Sequence, residues 1–562
     1  MEYIDFQYEE IPINFSSGFT KKRDCFPEIQ DYLYNTAKEN KICAIYGLRR
    51  TGKTTLLKQA IEELSEEDKT KTFLITCNVE TDFHSVISFI NSSIKNGKKY
   101  FFIDEITYSK GFQQIGEILS DNFVNIHDAR IVVTGTDSLA LYLSSHSNLY
   151  DRVRFIPTTF STFSEYSYIM DCSDIDEYIK LGSTFVPTIY ENKANADEYV
   201  KTSIANNLIN SIKKSEGKNN FQPELTELYD NDEIRTAIEL IINKYNKLFS
   251  IRSLRATFES SIFTRSLNKL IKDEPDIIDA INKNQINANI SELLEIVPPE
   301  NIKTNITQKH IAQLEDLLFD MDFLMRIPTI EHYNNKEISS PMKIITHPGL
   351  YHANIEYTLH EIGNDNNWIG SYNNEQKEKL IKKAYDYAMG DLMENFIIAN
   401  VNEILNKSKS VSMIDLFNDK ITRWFVSKYE MYDSEKKHHE SDLIIFDKQK
   451  KEIFLFEIKH SAENTPEQTQ HLENKEFLNK IKDSFGKIAG RYVLYNGNND
   501  FSTEIPRISA VDFLNTIYQL KKENIIDINL SIQKIKDKSQ QFSKSEDINK
   551  PTKKRKDSEW EY

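Results

Sequence analysis

The sequence predicts an α/β protein that has a parallel sheet near its N-terminus, a helical middle and a second α/β region towards its C-terminus. Between residues 41 and 160, short apolar runs alternate with helical patterns, which is typical of a parallel sheet covered by helices on both faces. From about 175 to 330 the strand signal fades, and apolar residues recur at helical spacing. From about 375 onward, strands and helices alternate again.

Composition limits the classes of protein to which the chain belongs. Its 562 residues are 39% hydrophobic, enough for about three to four domains that each have a core. The net charge of −16 argues against a surface that coats nucleic acid indiscriminately, while it leaves one basic groove open. The four cysteines are scattered without a CxxC pair, which argues against a disulfide framework or a zinc module. They are Cys25, Cys43, Cys77 and Cys172.

The sequence shows no sign of a membrane or secretory segment. The first ten residues, MEYIDFQYEE, are acidic and lack the basic and apolar parts of a signal peptide. No window reaches the roughly 18 apolar residues of a membrane span. We therefore expect a cytoplasmic protein with no membrane partner.

These patterns divide the chain into four regions. Residues 1–170 are predicted to form the parallel-sheet domain, residues 171–370 a helical lid with a winged-helix-like end, and residues 371–530 the second α/β domain. Residues 531–562 are rich in Lys, Ser and Asp without apolar periodicity, which predicts a disordered charged tail. Within the second region, Ile306–Pro328 predicts two helices followed by a short wing.

In the first region, the apolar runs that predict strands are KICAIYG, KTFLITCNV, YFFIDEI, ARIVVTGT and VRFIPTTF. Helical patterns begin near Thr54, Phe83 and Phe112, between these runs. Because a helix connects each strand to the next, we expect the strands to run parallel.

A glycine-rich motif follows the first strand. Residues 47–54 read GLRRTGKT, which matches G-x4-G-K-[ST] between an apolar strand and a helix, as a phosphate-binding P-loop requires. Gly47 and Gly52 let the backbone curl into a nest of N–H groups that face phosphates at a helix N-terminus. Lys53 adds a positive charge for the β- and γ-phosphates, and Thr54 offers a hydroxyl to Mg²⁺. The predicted ATP-binding residues of this loop are Gly47, Arg50, Thr51, Gly52, Lys53, Thr54 and Thr55.

Two carboxylates end the strand YFFIDEI, at the sheet edge where the P-loop also lies. Asp104 is predicted to hold Mg²⁺ through water, and Glu105 to act as general base towards the attacking water. The next strand ends in Thr134-Gly135-Thr136. The hydroxyl of Thr136 or Thr134 is placed to sense the γ-phosphate, although threonines at strand ends are ordinary strand formers. The sequence therefore predicts an ATPase, with Lys53 and Glu105 as catalytic residues.

Arg152 and Arg154 lie beyond this strand, in YDRVRFIPTTF. One interpretation is an arginine finger that acts on the nucleotide of a neighbouring subunit in a homo-oligomer. The other is a strand arginine in an ordinary salt bridge. The sequence leaves both open.

Together these motifs resemble a known family. CAIYGLRRTGKTTLL, YFFIDEI, RIVVTGTDSLAL and DRVRFIPTTFSTFSEY are similar to ATPases of the AAA_14 group of the AAA+ superfamily, usually fused to a DUF4143-type C-terminal region. The resemblance implies a P-loop NTPase domain of the AAA+/ASCE type that uses ATP and Mg²⁺. Further matches, KLGSTFVPTIY and THPGLYHA, extend it over about residues 20–495. His347 stands where the family commonly has Asp, and Ser183 interrupts a glycine pair.

A carboxylate–lysine pattern marks the C-terminal region. Asp442 begins the strand SDLIIF, and Glu457 and Lys459 lie two apart on the strand EIFLFEIKH. With a period of two, Glu457 and Lys459 share one face of the sheet, while Phe456 and Ile458 share the other. Asp442 comes alongside if the strands pair through the turn DKQKK. The pattern looks like the D…ExK core of restriction-endonuclease-like nucleases, in which two carboxylates hold a metal and the lysine activates water.

The resemblance also implies a role for Glu394, which lies in the helical segment GDLMENFIIANV and corresponds to a glutamate that joins this metal site. The predicted metal ligands there are Glu394, Asp442 and Glu457, for Mg²⁺ or Mn²⁺, with Lys459 as a further catalytic residue. Because D…ExK is short and Glu/Lys alternation on strands is common, a non-catalytic site stays open.

The sequence hypothesis is an ATP-driven protein whose ATP state controls a nuclease-like C-terminal domain acting on DNA. A rival is an ATP-dependent DNA-binding or signalling module whose C-terminal domain only recognises a partner protein or DNA. A third is a scaffold that binds ATP and rarely hydrolyses it. The helix ITQKHIAQLEDLL carries Glu315 and Asp316, which favours a structural role over a place in a DNA groove.

Overall fold

The computed structural model of the chain describes residues 5–34, 41–112, 117–137, 152–215, 223–231, 233–242, 306–333, 336–364, 373–407, 423–432, 437–461 and 468–548. The chain groups into two compact units. The first holds Met1–Arg326 and Lys343–Ala399, and the second holds Ile327–Met342 and the residues from Asn400 onward. The sequence-based division into four regions has other bounds and stays a prediction.

The first unit contains a sheet in which five strands run parallel, as predicted. Its strands are β1 (Gln7–Glu10), β2 (Ile42–Tyr46), β3 (Thr72–Thr76), β4 (Tyr100–Asp104), β5 (Arg130–Thr134) and β6 (Val153–Pro157). The order across the sheet is β1-β3-β4-β5-β2-β6, and β1 alone is antiparallel to its neighbour. The strand β5 therefore separates β2, which precedes the P-loop, from β4, which ends in Asp104.

Helices bury both faces of this sheet. Successive side chains of each strand point to opposite faces, so each strand contributes to both cores. Cys43 and Ile45 pack on one face with side chains of the helices Phe26–Tyr34 and Lys53–Glu62. Ile42 and Ala44 pack on the other with the helix Phe83–Lys95. The continuous apolar runs of the sequence reflect this two-sided burial.

The described α-helices that follow belong to the first unit, except that the last of them continues into the second unit from Asn400 onward. They are α1 (Phe26–Tyr34), α2 (Lys53–Glu62), α3 (Glu66–Thr70), α4 (Phe83–Lys95), α5 (Asn125–His127), α6 (Phe163–Met170), α7 (Ile175–Leu181), α8 (Lys193–Tyr199), α9 (Asn206–Ser215), α10 (Pro223–Asp230), α11 (Gln308–Asp320), α12 (Pro348–Asn364) and α13 (Asn374–Asn406). Residues 234–242 are also helical. The segments Glu117–Val124 and Val200–Ala205 are π-helical.

The prediction of two helices and a wing in Ile306–Pro328 is wrong. One helix, α11, begins after Thr307, which accepts a hydrogen bond from the His310 N–H, and ends at Asp320. The chain then enters a ten-residue strand, β7 (Leu324–Tyr333), followed by the ten-residue strand β8 (Lys336–Ile345). Apolar residues at Leu324, Met325 and Ile327 suit either conformation, so their periodicity alone does not identify a second helix.

The second sheet has seven strands. Besides β7 and β8 they are β9 (Trp424–Tyr432), β10 (His438–Asp447), β11 (Glu452–Lys459), β12 (Lys487–Tyr495) and β13 (Arg507–Ser509). Their order is β13-β12-β11-β10-β9-β7-β8. The strand β10 is antiparallel to β9 and β11, and β12 runs parallel to β11 and β13. The predicted pairing of Asp442's strand with that of Glu457 is confirmed.

Helices cover this sheet as well. They are α14 (Gln470–Glu473), α15 (Lys475–Phe485), α16 (Ala510–Lys522) and α17 (Ile528–Ile548). Phe477 and Ile481 of α15 pack on the face that carries Ile444 and Leu455. On the opposite face, Phe456 contacts Phe513 of α16, with ring centroids 5.2 Å apart.

The prediction of disorder from residue 531 is wrong for residues 531–548, which belong to α17. Ile528, Ile532 and Ile535 are buried and α17 packs against α16. Their spacing of four and three residues is the helical periodicity that the surrounding Lys, Ser and Gln obscured. Residues 549–562, the rest of the predicted tail, lie outside the described residues. Among the described residues, no helix combines the length and the apolar character needed to cross a membrane.

Candidate functional site

The P-loop connects β2 to α2, as the motif predicts. Gly47 has a φ of 147° and Gly52 a φ of 88°, conformations that favour glycine. A Cβ on Gly47 would overlap the Thr158 hydroxyl and lie 2.9 Å from the Thr159 nitrogen. Helix α2 begins at Lys53, directly after Gly52. The loop therefore opens onto a helix N-terminus, where unpaired N–H groups favour anions.

Lys53 lies inside this loop. Its Nζ donates to the carbonyl oxygens of Gly47 at 2.9 Å and Leu48 at 2.8 Å. Burial lowers the pKa of Lys53 to about 8, although the negative charges of Glu105 and Asp104 raise it in part. The two carboxylates are thus close enough to act on the Lys53 charge.

Thr51 has a structural position in the loop. Its hydroxyl donates to the Leu48 carbonyl at 2.8 Å and lies 2.9 Å from the Thr158 hydroxyl, and the residue is fully buried. Thr54 is an exposed residue in the first turn of α2 and lines the cavity described below. Of these two predicted ligands, Thr54 is accessible to a bound nucleotide and the Thr51 side chain is not.

The two carboxylates that the sequence singles out, Asp104 and Glu105, are held by Thr134 at the end of β5 and Thr136 just beyond it. The Thr134 hydroxyl donates to Asp104 Oδ1. Glu105 adopts a left-handed conformation with a φ of 56°, and Thr136 donates to its carboxylate through the backbone N–H at 2.8 Å and the hydroxyl at 2.6 Å. Thr136 and Thr134 therefore each hold one carboxylate, a role that the sequence hypothesis did not assign.

A cavity of about 740 Å³ brings these parts together within the first unit. Its lining includes, from the predicted set, Arg50, Gly52, Lys53, Thr54, Thr55, Glu105 and Thr136. The rings of Phe19 and Phe185 line it as well. This volume is in the range of sites for small ligands and cofactors, and its wall combines a phosphate nest with aromatic surface.

Contacts from the helical middle reach the same site, and no sequence pattern points to them. The Tyr199 hydroxyl donates to the Arg49 carbonyl at 2.9 Å. Asn207 Nδ2 donates to the Thr136 carbonyl at 3.0 Å, and Asn210 Nδ2 donates to Asp137 at 3.2 Å. The segment from α8 to α9 thus contacts both the P-loop and the end of β5.

Arg23 is a further residue that the sequence hypothesis missed. It is 7% exposed and makes five hydrogen bonds. Two go to the Glu165 carboxylate at 2.8 and 2.9 Å, and three go to carbonyl oxygens, including Thr51 at 2.9 Å. Glu165 lies in the stretch STFSEY that carried the family resemblance, but the motif alone shows no partner for it.

Ser183 and His347, the two residues that depart from the family pattern, are both buried, and the Ser183 hydroxyl contacts the residue before His347. Ser183 has a φ of 73° and its hydroxyl donates to the Thr346 carbonyl at 2.8 Å. His347 follows, with its Nδ1 2.6 Å from the Tyr190 hydroxyl and its ring stacked on that of Tyr199. Burial lowers the pKa of His347 to about 3, so this ring is neutral at physiological pH.

The two arginines considered as fingers are both ion-paired within the first unit. Arg152 contacts Asp121 at 2.9 Å, and Arg154 contacts Asp31 at 2.7 Å. This is the geometry of the ordinary strand arginine.

In the second unit, Asp442, Glu457 and Lys459 come together as the strand pairing predicts. Lys459 Nζ donates to Asp442 at 3.2 Å and to Glu457 at 2.8 Å. The Ile458 N–H donates to Asp442 at 2.7 Å. Both carboxylates are 1% exposed.

Their protonation differs. Burial alone would raise the pKa of Asp442, but the charges of Lys459 and Lys428 and the Ile458 N–H hold it below its usual value. Burial and the neighbouring Asp442 charge raise the pKa of Glu457 well above its usual value. The two buried carboxylates therefore differ in their affinity for a proton, and Glu457 holds it more tightly than Asp442.

The third predicted metal ligand, Glu394, belongs to a different unit from Asp442 and Glu457. Glu394 lies on α13, in the part of that helix that belongs to the first unit. Among the described residues, no group of three or more His, Cys, Asp or Glu side chains is arranged to hold a metal ion. The convergence of Glu394, Asp442 and Glu457 on one ion stays a prediction.

Comparisons with known proteins bear on the first site. Residues 39–167 match the protein-family model AAA_14, described as an AAA domain, which confirms that part of the resemblance. The match covers less than half of the chain. No curated protein matches the chain. The solved structure of the Aeropyrum pernix ORC1 protein in complex with DNA is 11% identical, over 61% of this chain and 94% of that chain, with a TM-score of 0.20. A TM-score this low carries no argument.

Proposed function

We propose that the first unit binds and hydrolyses ATP. The observation that carries this proposal is the cavity in which the P-loop nest, Lys53 and the Glu105–Thr136 pair meet. The family match over residues 39–167 supports it. In this site the backbone N–H groups at the start of α2 bind the phosphates, and the Lys53 ammonium binds their oxygens.

The residues present fit a magnesium ion beside the phosphates. Thr54 offers an exposed hydroxyl, and Asp104 offers a carboxylate at the end of β4, both oxygen donors that Mg²⁺ prefers. When bound, Mg²⁺ neutralises charge that develops on the phosphates. Thr134 holds Asp104 in orientation through its hydroxyl.

Glu105 is the general base in this proposal. Its carboxylate lines the cavity and accepts two hydrogen bonds from Thr136, which fix it relative to β5. A carboxylate held beside the phosphate site accepts a proton from the attacking water, a contribution of about 10²- to 10⁴-fold in rate. Phe19 and Phe185 offer aromatic surface for the base of the nucleotide.

Phosphate release measured with the wild type, Lys53→Ala and Glu105→Gln tests the proposal. We expect Lys53→Ala to lose ATP binding and Glu105→Gln to bind ATP but hydrolyse it at least about 100-fold more slowly. Arg423→Lys, which alters an arginine that is ion-paired with Asp447 in the second unit, serves as control. Equal rates in the wild type and both site variants would remove the ATPase assignment.

A second candidate function is metal-dependent cleavage of DNA by the second unit, under control of the ATP state. One observation supports it. Asp442, Glu457 and Lys459 are adjacent on paired strands, and Glu457 Oε1 is buried without a hydrogen-bond partner. A buried carboxylate oxygen without a donor is costly unless a proton or a cation satisfies it. The rival, a recognition domain without metal chemistry, needs only the proton.

Incubation with linear and supercoiled DNA separates these two possibilities. The full chain is tested with Mg²⁺ or Mn²⁺, with and without ATP, beside Lys459→Ala. Cleavage that requires Lys459 supports the nuclease, and cleavage that survives the substitution contradicts this site. No cleavage, together with DNA binding that does not depend on metal, supports the recognition domain.

A further inference from the structure

The contacts of Arg23 extend from the N-terminal segment into the P-loop. Its Nη1 donates to the carbonyl oxygens of Thr51 at 2.9 Å and Thr158 at 2.6 Å, and its Nη2 donates to that of Phe160 at 3.0 Å. The Glu165 carboxylate accepts from Nε and Nη2 on the other edge. One buried guanidinium therefore joins the P-loop to the chain that follows β6.

A buried charge is retained only where its partners satisfy it, and Glu165 does so here. The bidentate pair fixes the plane of the guanidinium because two parallel N–H groups engage one carboxylate. The Glu165 carboxylate also accepts the Asp24 N–H at 2.8 Å, so it is itself held in place. The orientation of the three remaining N–H groups of Arg23, which donate to carbonyl oxygens, is thereby fixed.

The bond to Thr51 orients a peptide of the phosphate nest. The peptide between Thr51 and Gly52 is planar and trans, so its carbonyl and its N–H point in opposite directions. Arg23 holds the carbonyl on the buried side of the loop. The Gly52 N–H is thereby directed to the cavity side, and Gly52 lines the cavity at the start of α2.

Arg23 also supports the aromatic wall of the cavity. Its guanidinium carbon lies 5.1 Å from the centroid of the Phe185 ring, and the Phe185 N–H donates to the Arg50 carbonyl at 3.3 Å. A cation at this distance from an aromatic ring is attracted to it. The same side chain therefore contacts the phosphate loop and one of the two rings of the cavity.

We propose that Arg23, held by Glu165, is a positioning residue for nucleotide phosphates: it presets the Gly52 N–H for the β-phosphate. This inference rests on the proposed ATP site. Because the N–H binds phosphate equally in the bound substrate and in the transition state, its loss affects affinity and spares the chemical step.

The experiment compares the wild type, Arg23→Lys, Glu165→Gln and the control Arg423→Lys, which alters an arginine ion-paired with Asp447 in the second unit, by calorimetry and steady-state hydrolysis. Lysine keeps the charge but cannot reach both Glu165 and three carbonyls from one plane. We expect Arg23→Lys to lose about tenfold in affinity for ATP and ADP alike, the effect of one charge-assisted hydrogen bond. AMP, which has no β-phosphate, keeps its affinity, and kcat at saturating ATP stays within about twofold.

Glu165→Gln keeps the shape and removes the charge that fixes the guanidinium, so a smaller loss in the same direction is expected. It decides the question if Arg23→Lys does not fold, as judged by circular dichroism and thermal unfolding. Unchanged ATP affinity in a folded variant, or an equal loss for AMP, overturns the inference. A wild type that fails to bind ATP overturns the proposed function instead.

Discussion

At the scale of single residues, the protonation of Lys53 makes nucleotide binding depend on pH. Its folded pKa of about 8 lies below the 10.5 of an exposed lysine, because burial disfavours the ammonium. The protein without nucleotide therefore loses this proton as pH rises through about 8, while bound phosphates favour the charged form. We expect ATP affinity to be constant below pH 7 to 8 and then to fall by up to about tenfold per pH unit.

Calorimetry between pH 7 and 9.5, in buffers of different ionisation enthalpy, measures this affinity and the uptake of up to one proton above pH 8. Lys53→Arg is the control, since its guanidinium stays charged over the whole range and its affinity should not follow this profile. An affinity that is the same at pH 7 and 9.5 in the wild type contradicts the assignment.

The pair Asp442 and Glu457 yields a second residue-scale prediction, because their pKa values move in opposite directions. Glu457, whose folded pKa is raised, binds more protons folded than unfolded, so its contribution to stability is lost as pH rises from the unfolded pKa through the folded one. Glu457→Gln should therefore gain stability relative to the wild type as pH rises above about 4.5. Asp442, whose folded pKa is lowered, stabilises above its unfolded pKa and loses that contribution as pH falls.

Unfolding in urea at pH 2 to 8 tests both variants. Asp442→Asn should lose about 2 kcal/mol at pH 7, since the Ile458 N–H and Lys459 then lack a charged acceptor, and this loss should shrink as pH falls below 3.8, the ordinary pKa of an aspartate. If the free energies of unfolding of the two variants changed with pH in the same way, the opposite pKa shifts assigned to Asp442 and Glu457 would be wrong.

The residues that a sequence can identify are those whose partners are local. Gly47, Gly52 and Lys53 lie within one motif of fixed spacing, and Asp104 and Glu105 end one apolar strand. Arg23 donates hydrogen bonds to residues 28 to 142 positions away, so no local pattern points to it. Glu394 was placed by resemblance alone, and the described residues give no metal group for it to complete.

At the scale of elements, burial on both faces made the parallel strands of the first sheet predictable as apolar runs. The strand β1 was missed because all four residues, Gln7–Glu10, are exposed at the sheet edge. The helix α17 was missed because a polar majority surrounds Ile528, Ile532 and Ile535. In both β1 and α17, packing against a neighbouring element determines the secondary structure more than the local amino-acid composition does.

The junction between β2 and the P-loop gives a prediction at this scale. In Gly47→Ala the added Cβ overlaps Thr158. The substitution also forces alanine into the φ of 147° that Gly47 has, which alanine rarely adopts. We expect the loop to shift from the chain that follows β6, with at least about a tenfold loss of ATP affinity and a cost of about 1–3 kcal/mol in stability.

Gly97→Ala is the matched control for this substitution. Gly97 also has a positive φ, 85°, but nothing lies within 4 Å of the added Cβ. It should lose some stability and keep wild-type ATP affinity. If both variants bind ATP equally well, the close approach of Gly47 to Thr158 has no role in shaping the nest.

At the scale of the whole molecule, the question is whether the two units communicate through their ligands. Each carries its own cluster: the P-loop with Glu105 in the first, and Asp442, Glu457 and Lys459 in the second. If the ATP state controls DNA binding, the coupling is a free energy that both ligands share. ATP must then change the affinity for DNA by the same factor by which DNA changes the affinity for ATP.

We expect this factor to lie between about 5 and 150, the usual range of such couplings. Anisotropy of labelled DNA with and without a non-hydrolysable ATP analogue gives one side of the cycle, and calorimetry of the analogue with and without DNA gives the other. Lys53→Ala, which removes nucleotide binding, should bind DNA with one affinity whether or not the analogue is present. Two factors that agree and differ from one establish that ATP and DNA binding are coupled, since linkage requires the two factors to be equal. Factors of one on both sides mean that the two units bind their ligands independently. ATP binding in the first unit then does not change the affinity of the protein for DNA.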